Sequence, residues 1–110
     1  MKPIKFLIVN DKIRVDSVSY HRHLLTPDDK FSQIKGGGMV EVEYNDENKT
    51  IRFDGGSADY GTFKQFDIKE AITNTPDLAN SLETLGKLVY GDDFEICQCK
   101  VCVRDEEINL

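Results

Sequence analysis

Residues 39–61, MVEVEYNDENKTIRFDGGSADYG, decide the fold of this chain. Apolar side chains alternate with glutamates over residues 39–44, which is the pattern of a half-buried strand. A second strand-like stretch, residues 50–54, follows a polar turn at residues 45–49. The two stretches therefore predict an antiparallel β-hairpin whose second strand runs into a glycine-rich loop.

That loop extends from Gly55 to Gly61 and consists mostly of small residues. A sharp turn after a strand can aim several backbone N–H groups at one point, which makes a site for an anion such as phosphate. The backbone N–H groups of Ser57, Ala58 and Asp59 are the candidate donors, and the Ser57 hydroxyl adds another. Gly56 would let the anion approach the backbone closely. The alternative is an ordinary glycine-rich surface turn.

The N-terminal third of the chain predicts one strand and one short helix. Ile4 to Val9 form a nearly continuous apolar run, typical of a buried strand, and Asn10-Asp11 is a turn signal. An extended or irregular segment follows to Val18. Thr26-Pro27-Asp28-Asp29 resembles a helix start, because threonine can cap, proline suits the first helical position and acids favour the positive end of the helix dipole.

A second group of glycines precedes the hairpin. Gly36, Gly37 and Gly38 end the short helix and come just before the first hairpin strand. Since antiparallel neighbours bring the start of one strand beside the end of the other, we expect these glycines next to the loop at 55–61. Two glycine-rich loops at one end of the sheet would form a small cleft.

The C-terminal half predicts two helices and a last strand. Asp67 to Glu70 resemble a capping box that opens a helix to about Asn74, and Thr75-Pro76 starts a second helix. The second helix carries an apolar stripe and ends at Gly91; the stripe consists of Leu78, Leu82, Leu85 and Val89. Phe94 to Val103 predict a strand, and Arg104 to Leu110 a frayed tail.

Composition limits the function. The chain has 110 residues, enough for one domain, and its formal net charge is -6. A net negative charge argues against non-specific nucleic-acid binding and against an anionic membrane surface, although a local positive pocket is compatible with it. No apolar run has the length of a membrane span, and no signal-peptide pattern is present, so we expect a cytoplasmic protein.

The cysteine pattern does not favour a metal site or a disulfide framework. The chain has three, Cys97, Cys99 and Cys102, so they cannot form a paired framework. Cys97 and Cys99 would share one face of a regular strand, with Cys102 on the other. A structural zinc site needs four ligands, and no second pair exists. We therefore expect thiols that behave as small hydrophobes, with zinc binding and redox sensing as alternatives, and we expect no metal or cofactor.

Taken together, four elements resemble the Janus/Ocnus family, which includes the small phosphohistidine phosphatases. They are the lysine-containing first strand, the pair Tyr20-His21, the Gly36-Gly37-Gly38 run and the Gly-x-Ser-x-x-Tyr-Gly loop at 55–61. The resemblance covers roughly residues 4–61 and is similar in outline beyond them. It implies a mixed sheet of five or six strands with two or three helices, and a metal-independent phosphatase.

The resemblance also assigns site residues. It makes His21 the catalytic residue, with His23 as the second choice, and Lys5 the phosphate-binding lysine. Gly56, Ser57, Ala58 and Asp59 would bind the phosphate, with support from Gly36, Gly37, Gly38, Tyr60 and Gly61. The residue types suit these roles, because histidine exchanges protons near neutrality and lysine supplies a positive charge. The alternatives are a hydrogen-bonded structural histidine and an edge-strand lysine that discourages aggregation.

We therefore expect an α/β domain of the α+β type that spans residues 1–110. The expected function is a phosphoamidase that hydrolyses phosphohistidine or a related N-phosphorylated group on a protein, a peptide or a small molecule. The first alternative is a module of the same fold that recognises a phosphate or another anion without turnover. Asp59 and Gly56 favour this alternative, and the Asp59 carboxylate would repel a phosphate dianion. The second alternative is an acidic protein that binds a basic partner.

Overall fold

The structure, a computed structural model, describes residues 2–110 and is built on one six-stranded mixed sheet. Met1, the first residue of the predicted domain, lies outside the described residues. The strands are β1 (Ile4–Val9), β2 (Lys12–Ser17), β3 (Ile34–Tyr44), β4 (Lys49–Asp54), β5 (Lys100–Val103) and β6 (Glu106–Ile108). Their order in the sheet is β2-β1-β3-β4-β5-β6. Neighbouring strands are antiparallel, except that β4 and β5 are parallel.

Two α-helices and three short 3₁₀ turns complete the fold. The helices are α1 (Gln65–Thr73) and α2 (Leu78–Tyr90), and both lie in the crossover between β4 and β5. The 3₁₀ turns are His21–Leu24, Phe31–Gln33 and Ile96–Gln98. This architecture confirms the predicted α+β fold, including the sheet of five or six strands and the number of helices. No helix among residues 2–110 is both long and apolar enough to span a membrane.

The core lies between the sheet and the two helices. Alternation along β1 sends Phe6 to the helix side, where its ring meets Phe53 and Phe63 edge to face, each at 5.3 Å between ring centroids. The helices bury the complementary apolar faces, namely Ile68 and Ala71 of α1 and Leu78, Leu82 and Leu85 of α2. The predicted stripe on the second helix is therefore core, except that Val89 is exposed.

The opposite face of the sheet is also covered at β1. Leu7 and Val9 point away from the helices, yet both are fully buried. The segment between β2 and β3, which contains the first two 3₁₀ turns, lies over this face. β1 is therefore buried on both sides, which explains why its sequence is an almost continuous apolar run.

The predicted β3–β4 hairpin and the predicted turns are present. β3 and β4 pair in register from Met39 with Asp54 to Tyr44 with Lys49. Asn10 and Asp11 both have positive φ, at 53° and 59°, and join β1 to β2 in the two-residue turn that suits the twist of a hairpin. Gly91 ends α2 with a φ of 96°, as predicted.

The predicted helix at Thr26 is wrong. Residues 26–29 form a turn in which Asp29 N–H donates to Thr26 O and Thr26 N–H donates to the Asp29 carboxylate at 2.6 Å. Only the 3₁₀ turn Phe31–Gln33 follows. Local side-chain hydrogen bonds compete with a helix at such residues. This segment also has no apolar residues at helical spacing whose burial would stabilise a helix.

The glycines 36–38 were also predicted wrongly, because they lie inside β3 and not in a loop before it. Gly38 pairs with Phe6 and Gly37 with Leu7. A Cβ on any of the three would collide with the backbone of a neighbouring segment, namely Thr62, Phe6 or Asp54. Glycine here allows close backbone approach within the sheet.

Three element boundaries in the C-terminal half differ from the predictions. α1 begins at Gln65, so Asp67 lies within its first turn and does not cap it. The predicted strand at 94–103 is interrupted, since Phe94 is buried in the core and the turn Ile96–Gln98 precedes β5. Residues 104–110 are not simply a frayed tail, because β6 pairs with β5 from Val103–Glu106 to Val101–Ile108.

Replacing Gly86 by alanine in α2 tests the contact between helix and core. A Cβ at this position would collide with the ring of Phe94. Alanine normally favours a helix over glycine by about 1 kcal/mol, but overpacking a core costs about 1–3 kcal/mol or more. We expect Gly86→Ala to lower the free energy of unfolding in urea. Leu88→Ala, on the exposed side of the same helix, is the control and should change it little.

Candidate functional site

His21 is buried against the middle of β3, on the sheet face away from the helices. It opens the 3₁₀ turn His21–Leu24 and is 7% exposed. It packs against Gly37, where a Cβ would make an ordinary 3.4 Å contact with His21 Cδ2 but would collide with the Phe6 carbonyl oxygen at 2.5 Å and with Leu7 Cδ2 at 2.6 Å. Its Nε2 lies 2.9 Å from the carbonyl oxygen of Gly38. The imidazole thus lies against Gly37 and has its hydrogen-bond partner in Gly38.

The Gly38 contact determines which ring nitrogen of His21 is available for chemistry. A carbonyl oxygen only accepts hydrogen bonds, so Nε2 must carry the proton. In the neutral imidazole, Nδ1 therefore holds the free electron pair. Among the described residues, Nδ1 has no hydrogen-bond partner, and Arg52 Nε is the only buried side-chain nitrogen or oxygen without one. Nδ1 therefore reaches solvent and can accept a proton or attack an electrophile.

The loop at 55–61 is attached to the same part of β3. Ser57 and Gly61 exchange two backbone hydrogen bonds, at 3.1 and 2.8 Å, and this closes the loop into a tight turn. The carbonyl oxygen of Gly61 also accepts the N–H of Gly37 at 3.2 Å. The Ser57 hydroxyl oxygen accepts the N–H of Tyr60 at 3.2 Å, and Ser57 is buried. Gly37 therefore lies between the histidine and the candidate anion-binding loop.

These hydrogen bonds reduce the predicted set of anion donors. The N–H of Ser57 is used by Gly61 and is not available to a ligand. The N–H groups of Ala58 and Asp59 remain, at the exposed tip of the turn, together with the Ser57 hydroxyl hydrogen. A Cβ at Gly56 would make an ordinary 3.5 Å contact with Thr62, so packing within the protein does not require glycine there. The Asp59 side chain is exposed at the same tip.

Lys5 lies on the same face of the sheet as His21. It alternates with Phe6 along β1, so it projects to the side of Leu7, which faces the histidine. Its cross-strand neighbours on that face are Asp16 of β2 and Met39 of β3. The side chain is half-buried, and no salt bridge joins its amine to a carboxylate in the part of the chain that the structure describes. The lysine is thus available to an anion on this face.

His23 has a different environment from His21. It is exposed, and its ring meets the half-exposed ring of Tyr20 edge to face, with the centroids 5.6 Å apart. The Arg22 guanidinium lies over the same Tyr20 ring, 4.2 Å from its centroid. No hydrogen bond to the residues described here fixes the tautomer of His23, so only His21 has one defined acceptor nitrogen.

Sequence reasoning missed the ion pair that holds the histidine segment in place. The Arg14 guanidinium of β2 forms a bidentate pair with the Asp29 carboxylate, with one contact at 2.7 Å, and donates to the carbonyl oxygen of Leu24 at 3.1 Å. Leu24 ends the 3₁₀ turn that begins at His21. Arg14 therefore connects two parts of the segment between β2 and β3 to the sheet. No local sequence pattern predicts such a pairing.

The ion pair changes the proton affinity of both partners. The Arg14 guanidinium holds the pKa of the Asp29 carboxyl far below its usual range, and the N–H of Thr26 adds to this effect. The pKa of Arg14 is raised, mainly by its hydrogen bonds to Asp29. The Asp29 side chain is only 10% exposed, so this pair is better shielded than an ordinary surface salt bridge.

The cysteines lie far along the chain from this site. Cys97 and Cys99 flank the end of the 3₁₀ turn Ile96–Gln98, so they do not share a strand face as a regular strand would require. All three cysteines are free, and only Cys102 is buried. Partial burial raises the pKa of the Cys99 thiol. Residues 2–110 contain no group of three or more His, Cys, Asp or Glu side chains that could hold a metal ion.

No family model matches this chain, and neither a search of curated proteins nor a search of solved structures finds a match. The resemblance to the Janus/Ocnus family therefore stays a prediction.

Replacing Asp29 by asparagine should lower stability in a pH-dependent way. The native carboxyl has a depressed pKa, so the ion pair stabilises the fold above the pKa of the unfolded carboxyl, about 4. This stabilisation is lost as the pH falls below that value. We expect the difference in thermal unfolding midpoint between the wild type and Asp29→Asn to be largest near pH 7 and to shrink toward pH 2. Asp28→Asn, in the same turn, should show no such difference.

Proposed function

We propose that this chain is a metal-independent phosphoamidase that hydrolyses phosphohistidine or a related N-phosphorylated group. The observation that carries the proposal is the orientation of His21 by a backbone carbonyl. The hydrogen bond from Nε2 to Gly38 leaves Nδ1 as an acceptor on a face that also holds Lys5.

The roles of the residues follow from what phosphoryl transfer requires. Charge on the phosphoryl oxygens must be neutralised, and attacking and leaving groups must lie in line. The candidate donors are the N–H groups of Ala58 and Asp59, the Ser57 hydroxyl and the Lys5 amine. The hydrogen bond between Gly37 and Gly61 connects the loop to the strand against which His21 packs. Such positioning lowers the entropic part of the barrier.

Two reaction routes are compatible with one free imidazole nitrogen. In the first, His21 Nδ1 takes a proton from water while the water oxygen bonds to phosphorus and the P–N bond breaks. In the second, Nδ1 bonds to phosphorus itself, and water later cleaves that bond. In both routes the substrate ring leaves as neutral imidazole once its nitrogen is protonated. Neither route requires a metal ion.

The alternative is an anion-recognition module without turnover, and two observations favour it. The Ser57 N–H is not free, so the loop offers fewer donors than a full nest. The Asp59 carboxylate lies at the tip where the phosphoryl group would sit, and like charges repel. In this case phosphate would raise the thermal unfolding midpoint of the protein, but the protein would not hydrolyse a phosphohistidine peptide.

The central test compares two histidine variants in the presence of EDTA. His21→Gln keeps an N–H donor for Gly38 O but removes the free nitrogen, and His23→Gln is its matched surface control. We expect the wild type and His23→Gln to hydrolyse a phosphohistidine peptide. His21→Gln should reduce kcat about 10²- to 10⁴-fold, the usual contribution of a positioned acid or base. Equal rates for the two variants, or loss of activity in EDTA, would contradict the proposal.

Replacing Asp59 by asparagine tests where the phosphoryl group binds. The substitution removes a negative charge from the loop tip and keeps the backbone N–H. We expect a lower KM for the phosphohistidine peptide, by about two- to fivefold, as befits an exposed charge in water. Asp46→Asn, in the β3–β4 turn, is the control and should leave KM unchanged. An unchanged KM for Asp59→Asn would place the phosphoryl group away from this loop.

A further inference from the structure

Two aromatic side chains, Phe31 and Tyr60, form a pair at the loop of the candidate site. Phe31 is 72% exposed, Tyr60 is partly buried, and their ring centroids lie 6.1 Å apart with the planes tilted by 38°. This spacing is within the range of aromatic pairs and leaves the Phe31 ring largely open to solvent. Tyr60 belongs to the loop at 55–61, directly after Asp59, whose N–H is a candidate phosphate donor.

Both rings are carried by backbone that is fixed in place. The 3₁₀ turn Phe31–Gln33 is closed by hydrogen bonds in both directions between Lys30 and Gln33, at 2.9 and 3.0 Å. The Gln33 carbonyl also accepts the N–H of Asn10 at 2.9 Å, which connects this turn to the β1–β2 hairpin. On the other side, Tyr60 is held by its hydrogen bond to Ser57. Little backbone ordering would therefore be needed when a ligand binds between or against the rings.

We propose that Phe31 and Tyr60 form an aromatic subsite that takes an apolar side chain of the peptide carrying the phosphoryl group. This inference rests on the proposed function. Tyr60 follows the candidate donor Asp59 in sequence, and each residue of an extended peptide spans about 3.3–3.6 Å. The side chain in the subsite would thus lie one or two residues from the phosphorylated one. Anchored aromatic rings of this kind dominate binding energy at many interfaces.

The test uses two phosphohistidine peptides that differ only in the residues flanking the histidine, leucine in one and serine in the other. The phosphoramidate ion, which has no flanking group, is the reference substrate. We expect the wild type to favour the leucine peptide by about 10-fold or more in kcat/KM, the usual effect of burying one apolar side chain. Phe31→Ser should lose this preference when each rate is normalised to phosphoramidate hydrolysis by the same variant.

Phe66→Ser is the matched control, because Phe66 is 74% exposed on α1, which packs against the other face of the sheet. It should keep the leucine preference of the wild type. Hydrolysis by the wild type without a leucine preference, or a preference that survives Phe31→Ser, would overturn the subsite alone. Hydrolysis of neither the peptides nor phosphoramidate would overturn the proposed function, and the subsite with it.

Discussion

The close approach of three backbone segments at Gly37 is the constraint on which the site depends. Gly37 pairs with β1 and donates its N–H to Gly61, its missing side chain leaves the space that Leu7 occupies, and His21 packs against it. Its neighbour Gly38 supplies the carbonyl that orients the imidazole. A larger residue at position 37 would meet the Phe6 carbonyl at 2.5 Å, so sheet pairing and histidine placement would be disturbed together.

Much of the fold could be predicted from the sequence because it depends on local periodicity. The alternation in residues 39–44, the apolar run of β1 and the stripe on α2 each indicate an element whose burial the structure confirms. The hairpin between β3 and β4 follows from the same pattern with a polar turn between. In these elements the local sequence preference and the tertiary packing favour the same structure, so the hydrophobic pattern predicts them correctly.

The wrong predictions share a physical cause, which is that long-range contacts override local signals. Glycines suggest turns, yet Gly36 to Gly38 continue a strand because three other backbone segments lie against them. Thr26 to Asp29 suggest a helix start, yet the Asp29 carboxylate pairs with Arg14 from β2. The glycines and small residues at 55–61 predict a loop. They do not predict that the Ser57 N–H donates to the Gly61 carbonyl, because that hydrogen bond depends on how the two ends of the loop pair.

The choice of a backbone carbonyl as the partner of His21 has an electrostatic consequence. A carboxylate in that position would also fix the tautomer, but it would place a negative charge beside any bound phosphoryl group. The Gly38 carbonyl is neutral, so it fixes the imidazole without adding such repulsion. This matters in a chain with a formal net charge of -6, in which Asp16 and Asp54 already lie on the face that carries Lys5. On such a surface, a neutral partner for the imidazole leaves the positive charge of Lys5 and the backbone N–H dipoles of the loop unopposed by a further carboxylate.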